Sequence, residues 1–319
     1  MKLQTQIPLQ KEKNQINYNS KLLLLGSCFV ENIGEKLEYY KFQTVQNPFG
    51  ILFHPLAIEN LITRAVTSQE YTKDSIFLHE ERWHCYDAHS ELSSNTPEEL
   101  LEKLNSGLQT TREQIKKASH IVITLGTAWV YSFIQAKKVV ANCHKVSQKE
   151  FSKRLLSVQE IQKSLENTIQ SIQKINKKVQ FIFTISPVRH LKDGFLENQQ
   201  SKAHLITAIY ELISIPPLGI RGLFPSYEIM MDELRDYRFY KEDMVHPNAT
   251  AINYIWEKFT LSWVNEESQK VMEKVLVVQK GLAHRPFNEK SLKHKEFLKA
   301  LEKKKTYLQE TYSFMKFTV

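Results

Sequence analysis

The sequence predicts an α/β protein with a mostly parallel central sheet. Short apolar runs that suit buried strands alternate with longer stretches whose apolar residues recur every three or four positions, as in amphipathic helices. Several runs stop at Gly or at Ser-Pro, which commonly end strands. This alternation is typical of βα units, in which crossover helices join parallel strands. With 319 residues and 42% apolar composition, the chain can build one large core.

The first predicted strand, 22–25, is a run of four leucines that ends at Gly26, and the following helix carries an apolar stripe from Val30 to Tyr40. Residues 68–97 are interpreted as an insertion with little regular structure. A hairpin is predicted between 129–134 and 138–141. The other predicted strands are 42–46, 121–125, 179–185 and 226–230, and the other predicted helices begin at Pro97 or cover 157–176, 202–213, 247–264 and 291–311.

The net charge of +8 is concentrated near the end of the chain, where nine Lys or Arg and four acidic residues follow position 280. The nearly neutral body argues against a nucleic-acid groove across the core. We therefore expect an α/β domain over 1–265 and a basic helical extension, 266–319, packed on it. The lysines at 303–305 are interpreted as a solvated helix face, with an anionic docking patch as the alternative.

The chain has three cysteines, at positions 28, 85 and 143, which form no disulfide framework and fit a reducing compartment. The first 19 residues are polar and contain no apolar segment of the signal-peptide type. No stretch approaches the roughly 20 apolar residues that span a bilayer. A cytoplasmic protein without a membrane span is expected.

Ser27 is the candidate nucleophile because it follows the first strand, at the sheet edge where open α/β proteins bind ligands. Gly26 permits a sharp turn, and the start of a helix stabilises negative charge on the serine and its surroundings. The Ser27 N–H could also donate to an oxyanion. The alternative is that Ser27 only caps the helix. Cys28 is the rival nucleophile.

Asp243 and His246 are the candidate orienting acid and general base. A carboxylate three residues before an imidazole can bond one ring nitrogen and leave the other free to take a proton. The order Ser, Asp, His along the chain is a known order for a catalytic triad. A surface loop with a capping Asp and an exposed His is the alternative.

Several segments together resemble one family. Gly26-Ser27-Cys28-Phe29-Val30 is similar to the sequence that names the GSCFA family, bacterial proteins placed with the SGNH/GDSL hydrolases. The further similar segments are Asn47-Pro48-Phe49-Gly50, Leu125-Gly126-Thr127-Ala128-Trp129, Asn142-Cys143-His144-Lys145, Ser186-Pro187-Val188-Arg189-His190, residues 243–248 and His284-Arg285-Pro286-Phe287.

The resemblance implies a flavodoxin-like three-layer sandwich with about five parallel strands. It also implies that Ser27, Asp243 and His246 form the triad and that the Gly50 N–H donates to the oxyanion. The SGNH pattern has an oxyanion-hole Asn after the third strand, which this chain lacks. Thr127 could replace it, Asn142 could fold in, or the hole could be smaller.

Other polar residues near the predicted sheet edge are candidates for substrate binding. Arg189 could bind an anionic or sugar group, and the other candidates are His190, His144, Asp87 and His89. A Zn²⁺ site built from His84, Asp87 and His89, with Cys143 and His144, is the less favoured interpretation, since no metal motif is present. We expect no metal and no cofactor.

The sequence thus predicts a serine esterase that removes an acyl group, acetyl among the candidates, from a small ester. An O-acylated carbohydrate is the first substrate class to test. Acyl transfer to an alcohol is the alternative within enzymes, and an inactive binding protein on the same scaffold is the alternative outside them. Partners among nucleic acids are not expected.

Overall fold

The computed structural model describes residues 4–216 and 221–317. Its strands are β1 (Lys21–Gly26), β2 (Gln43–Gln46), β3 (Phe77–His79), β4 (Arg82–His84), β5 (His120–Leu125), β6 (Trp129–Phe133), β7 (Lys138–Val140), β8 (Phe151–Leu155), β9 (Gln180–Ile185) and β10 (Arg221–Phe224). Its helices are α1 (Cys28–Tyr39), α2 (Pro55–Thr67), α3 (Pro97–Lys117), α4 (Val158–Gln173), α5 (Phe195–Ser214), α6 (Ser226–Glu228, extended by a π-helical turn, Ile229–Glu233), α7 (Ala249–Trp263), α8 (Glu266–Leu282) and α9 (Leu292–Thr311).

The central sheet has five parallel strands in the order β2-β1-β5-β9-β10. Counted along the chain within this sheet, the order is 2-1-3-4-5, which is that of flavodoxin-like folds. The expected fold class is therefore confirmed. The strand order reverses between β1 and β5, so the crevice beyond the carboxyl ends of these two strands is the place where such folds bind ligands.

Helices cover both faces of the sheet because successive side chains of its strands point to opposite faces. In β1, Leu23 and Leu25 belong to the core under α2, α3, α4 and α5. Leu22 and Leu24 belong to the core under α1 and α7. All four leucines are fully buried, which explains why the strand is a continuous apolar run and does not alternate with polar residues.

The helices α8 and α9 contribute to the second of these cores. Met272 and Val275 of α8, and Leu301 and Leu308 of α9, are buried in the same cluster as the α1 and α7 side chains. The extension is thus held by apolar packing, while its lysines stay outside. No helix in residues 4–216 and 221–317 is both long enough and apolar enough to cross a membrane.

Two insertions extend beyond the carboxyl edge of the sheet. The predicted hairpin is confirmed as β6 and β7, which pair antiparallel, and β8 adds a third strand beside β6. The segment interpreted as largely irregular also contains a short antiparallel pair, β3 and β4. The Ala141 N–H donates to Tyr86 O at 2.7 Å and so joins the two insertions.

The prediction of a fifth strand over 226–230 is wrong. The fifth strand is β10, Arg221–Phe224, and Ser226 starts a helical turn. Pro225 ends the strand because it has no N–H for a ladder bond. Gly222 weakens the strand pattern in the sequence, because glycine is uncommon inside strands. The sheet nevertheless requires glycine here, since a Cβ at this position would lie 2.4 Å from the Trp263 ring.

Candidate active site

Gly26 makes the turn that presents Ser27. Its φ of +135° is a conformation that glycine adopts readily and other residues rarely adopt. A Cβ added to Gly26 would also lie 2.1 Å from the carbonyl oxygen of Thr124. Asn47 holds the same turn, since its Oδ1 accepts the Gly26 N–H at 2.9 Å while its Nδ2 donates to Glu31 at 3.2 Å. Sequence reasoning missed this role of Asn47, and an Asn that ends a strand directly before Pro was the available signal.

Ser27 occupies the N-cap position of α1, yet its side chain accepts no hydrogen bond from the helix. By contrast, Thr96, Ser157 and Ser291 cap α3, α4 and α9 through their side-chain oxygens. Ser27 is fully buried, and its Oγ has no hydrogen-bond partner among the described residues. A buried hydroxyl without a partner is costly to the fold, so the capping interpretation does not explain this serine.

Cys28, the rival nucleophile, begins α1 and is half-buried. Burial and the nearby charge of Glu31 raise the pKa of its thiol, and the opposing effects of Lys202 and the local N–H groups do not reverse this. The thiol is the unreactive form of cysteine. The environment of Cys28 therefore disfavours a thiolate nucleophile.

The Asp243 and His246 side chains are joined by a hydrogen bond of 2.7 Å between Oδ2 and Nδ1. The other carboxylate oxygen, Oδ1, accepts the N–H groups of Val245 and His246 at 2.9 Å each. These backbone bonds and the imidazole lower the pKa of Asp243 to about 2. The carboxylate thus fixes the ring through Nδ1, which leaves Nε2 as the nitrogen available for proton transfer.

Two observations place this pair near the carboxyl edge of the sheet. The segment that carries it follows β10 and leads into α7. Burial, Lys202 and His246 lower the pKa of His190 to about 4, so His246 lies close enough to act on a residue that follows β9. The side chain of His246 is 42% exposed.

The expected oxyanion donors are engaged in local hydrogen bonds. The Ser27 N–H donates to Thr124 O at 3.0 Å, and the Gly50 N–H donates to Asn47 O at 2.7 Å. The Thr127 hydroxyl lies 3.2 Å from Ser201 Oγ and accepts the Trp129 N–H. Asn142 Oδ1 accepts the His144 N–H at 2.8 Å. An uncapped start of α1 is a further source of N–H groups beside Ser27.

Lys202 is the residue at this edge that sequence reasoning missed. It is fully buried, and its Nζ donates to Gly126 O at 2.7 Å and to Ser186 O at 2.8 Å. These carbonyls follow β5 and β9, so the ammonium group joins the ends of two neighbouring strands. Burial lowers the pKa of Lys202 to about 7. A signal was present, because Lys202 lies on the buried face of α5 with Leu205 and Ile209.

His190 packs against the carboxyl end of β5, at Gly126. Its ring lies edge-on to Phe53 with centroids 5.0 Å apart, and its Nε2 would be 2.9 Å from a Cβ at Gly126. This Nε2 is buried and has no hydrogen-bond partner among the described residues. Arg189, the preceding residue, is half-buried and reaches Met231 Sδ at 3.2 Å.

The remaining predicted binding residues lie in the insertions and serve local structure. Asp87 is buried in ion pairs with Lys138 at 2.6 Å and with Arg64 at 3.7 Å. The His144 Nε2 bonds Cys85 O at 2.7 Å, and burial lowers the pKa of His144 to about 4. His89 packs over Gly50, and a Cβ added to Gly50 would lie 2.5 Å from the Cβ of His89.

The alternative Zn²⁺ site is not formed. Both ring nitrogens of His84 are bonded to protein groups, Ser93 Oγ at 2.7 Å and His79 O at 3.1 Å. In the described part of the chain, no group of three or more His, Cys, Asp or Glu side chains is placed to hold a metal ion.

The fold and site define a flavodoxin-like α/β protein with a buried serine after its first strand and an Asp–His pair before its last core helix. The chain belongs to the GSCFA family, whose model matches residues 21–259. A second model, GSCFA domain protein, C-terminal domain, matches residues 275–318.

Comparison with other proteins adds little to this assignment. No curated protein matches the chain. A similar solved structure is the crystal structure of a carbohydrate esterase family 3 from Talaromyces cellulolyticus. The similarity covers 81% of this chain and 99% of that one, with 9% sequence identity and a TM-score of 0.36. A likeness this distant says nothing of the activity of this protein.

Proposed function

We propose that this protein is a serine hydrolase of the SGNH/GDSL type that cleaves a small acyl ester. The observation that carries the proposal is Ser27, a buried hydroxyl at the N-terminus of α1 that caps nothing and bonds nothing among the described residues. Its position at the point where the strand order reverses supports a role in ligand chemistry. The Asp243–His246 bond supplies an oriented base near the same edge.

In the proposed reaction, Ser27 Oγ attacks the acyl carbonyl carbon while its proton passes to His246 Nε2. The tetrahedral intermediate then expels the alcohol, which takes that proton from His246. Water, activated by the same imidazole, releases the acid and restores Ser27. Asp243 stabilises the imidazolium at both stages, and its low pKa keeps it ionised throughout the neutral range.

The described residues contain no hydrogen bond between Ser27 Oγ and His246, so the pair must close when substrate binds. Such bonds are commonly long before substrate is present. For the oxyanion we favour the N–H groups of Cys28 and Phe29, which the Ser27 side chain leaves uncapped. The N–H groups of Ser27, Val30 and Gly50 are already bonded to backbone carbonyls.

Labelling with a fluorophosphonate probe and hydrolysis of p-nitrophenyl acetate test this proposal. Wild-type protein should be labelled and active, Ser27→Ala should lose both properties, and Cys28→Ser is the matched control that should retain labelling. Asp243→Asn should lower kcat by ~10²–10⁴-fold, the usual contribution of an oriented base. Labelling that survives Ser27→Ala, or wild-type protein that is neither labelled nor active, contradicts the proposal.

Hydrolysis and acyl transfer differ in the acyl acceptor, which is water in the first reaction and an alcohol in the second. We propose hydrolysis, with an O-acylated carbohydrate as the first substrate class to test. Release of free acid in water, without added alcohol, supports this assignment. Product that forms only when an alcohol is added would instead identify an acyltransferase.

A further inference from the structure

Arg189 is a half-buried cation that has no carboxylate partner within residues 4–216 and 221–317. The hydrogen bond of its guanidinium goes to the sulfur of Met231 at 3.2 Å, and sulfur is a weak acceptor. The ion pairs of the described residues involve other arginines, namely Arg64, Arg154, Arg235 and Arg238. A guanidinium group carries five N–H donors. The bond to Met231 occupies one of them, so the others are available to a ligand.

The surroundings of Arg189 strengthen its positive field. The buried ammonium group of Lys202 interacts with it and bonds only to carbonyl oxygens. Of the acids nearby, Asp232 is paired with Arg235 at 2.6 Å, and burial raises the pKa of the Glu228 carboxyl. Neither acid forms an ion pair with Arg189 among the described residues.

Arg189 lies close enough to two phenols to act on them electrostatically, and the Tyr227 hydroxyl among them donates to Gln199 Oε1 at 3.2 Å. Its charge acts on the phenols of Tyr227 and Tyr240, whose pKa values burial raises, so both phenols keep their protons at neutral pH. Tyr240 is the residue whose backbone pairs with Pro247, immediately after His246. The guanidinium group thus lies on the side of the sheet edge that holds the proposed base.

We propose that Arg189 anchors a carboxylate carried by the substrate, so that the preferred esters are anionic ones. The proposal rests on the proposed function, since it assigns the substrate class of the same site. The planar fork of a guanidinium matches the two oxygens of a carboxylate, and a pair of this kind is a charge-assisted, bidentate contact. The Tyr240 hydroxyl would donate a further hydrogen bond to the bound anion, whereas the Tyr227 hydroxyl already donates to Gln199.

Hydrolysis of 4-acetoxybenzoate and of methyl 4-acetoxybenzoate provides the test, because the two acetate esters differ in one negative charge. Wild-type protein should show a kcat/KM ~10–100-fold higher for the anionic ester, the value of a charge-assisted bond. Arg189→Gln should bring this ratio near one. Arg189→Lys, which keeps the charge and loses the fork, should give an intermediate ratio and guards against a Gln variant that fails to fold.

Arg154→Gln is the matched control, since Arg154 is an exposed arginine of β8 paired with Glu160 and not with an acid near Arg189, and it should keep the wild-type ratio. Equal kcat/KM for both esters in wild-type protein, or a preference that Arg189→Gln retains, overturns the proposal.

Calorimetric binding of benzoate and benzamide to Ser27→Ala separates this proposal from the proposed function. Benzoate should bind ~10–100-fold more tightly than benzamide, the same factor as for the two esters. The double variant Ser27→Ala/Arg189→Gln should bind the two ligands equally. A protein that hydrolyses neither ester but discriminates benzoate through Arg189 refutes the hydrolase and supports the anion site. Equal binding of the two ligands refutes the anion site, whatever the activity.

Discussion

Lys202→Met tests whether a cation is buried at the end of the sheet. Methionine has a similar length and apolar character but cannot titrate, so the variant removes the charge with little change in volume. It also removes the donors that bond Gly126 O and Ser186 O, which lowers stability by a roughly pH-independent amount. The informative quantity is therefore the difference in unfolding free energy between wild type and variant as a function of pH.

The sign of this dependence follows from the direction of the pKa change. Burial lowers the pKa of Lys202 from 10.5 to about 7. Between these values the unfolded chain holds a proton that the folded protein has released, so the unfolding free energy of wild type rises with pH. The limiting slope is ~1.4 kcal/mol per pH unit. Because release begins near pH 7, the expected gain from pH 6 to pH 9 is ~2–3 kcal/mol.

Urea denaturation at pH 6, 7, 8 and 9 measures the effect. The wild-type value minus the Lys202→Met value should be nearly constant below pH 7 and then increase. Lys163→Met, at an exposed position of α4, is the matched control and should give a flat difference. A flat difference for Lys202→Met as well, or one that falls with pH, would refute the inference of a desolvated ammonium group.

Three further predictions concern the turn, the nucleophile and acid stability. Gly26→Ala should cost ~3 kcal/mol or more in thermal or urea unfolding, because its Cβ would meet a backbone carbonyl at 2.1 Å. Ser27→Ala should raise the unfolding free energy by ~1 kcal/mol, since it removes an unpartnered hydroxyl, whereas Ser201→Ala, which loses a 2.7 Å bond from the Ala128 N–H, should lower it. Burial lowers the pKa of both His54 and His144 to about 4, so the stability that these two neutral histidines contribute should be fully present above pH 6.5 and be lost toward pH 4; a urea midpoint that stays constant between pH 6.5 and pH 4 would contradict this.

The fold was predictable wherever burial dictated composition. The strands β1, β5 and β9 are buried on both faces, so their apolar runs stand out in the sequence. The edge strand β10 failed this criterion because it has four residues, one of them a glycine that makes room for Trp263. The segment just after it, 226–230, was mistaken for the strand, although Pro225 marks the boundary between them.

The site was predictable only in part, because its chemistry depends on contacts between distant segments. The Asp243–His246 bond is local, and the spacing in the sequence predicts it. Whether Ser27 caps α1 depends on a side-chain rotation that the sequence does not determine. Lys202 was missed because its partners are carbonyl groups, which every residue carries and no sequence pattern marks.

Three polar atoms that the fold leaves unsatisfied lie where the proposed chemistry would take place. The buried atoms Ser27 Oγ, Thr124 Oγ1 and His190 Nε2 lack partners among the described residues, and they lie at or just after the carboxyl ends of β1, β5 and β9. Other buried atoms without partners lie in β2, in the two insertions, on α4 and on α5, so a missing partner does not by itself mark a site. At the carboxyl ends of the strands, however, this cost to the fold has an explanation in substrate binding, since a ligand in the crevice would supply the missing partners.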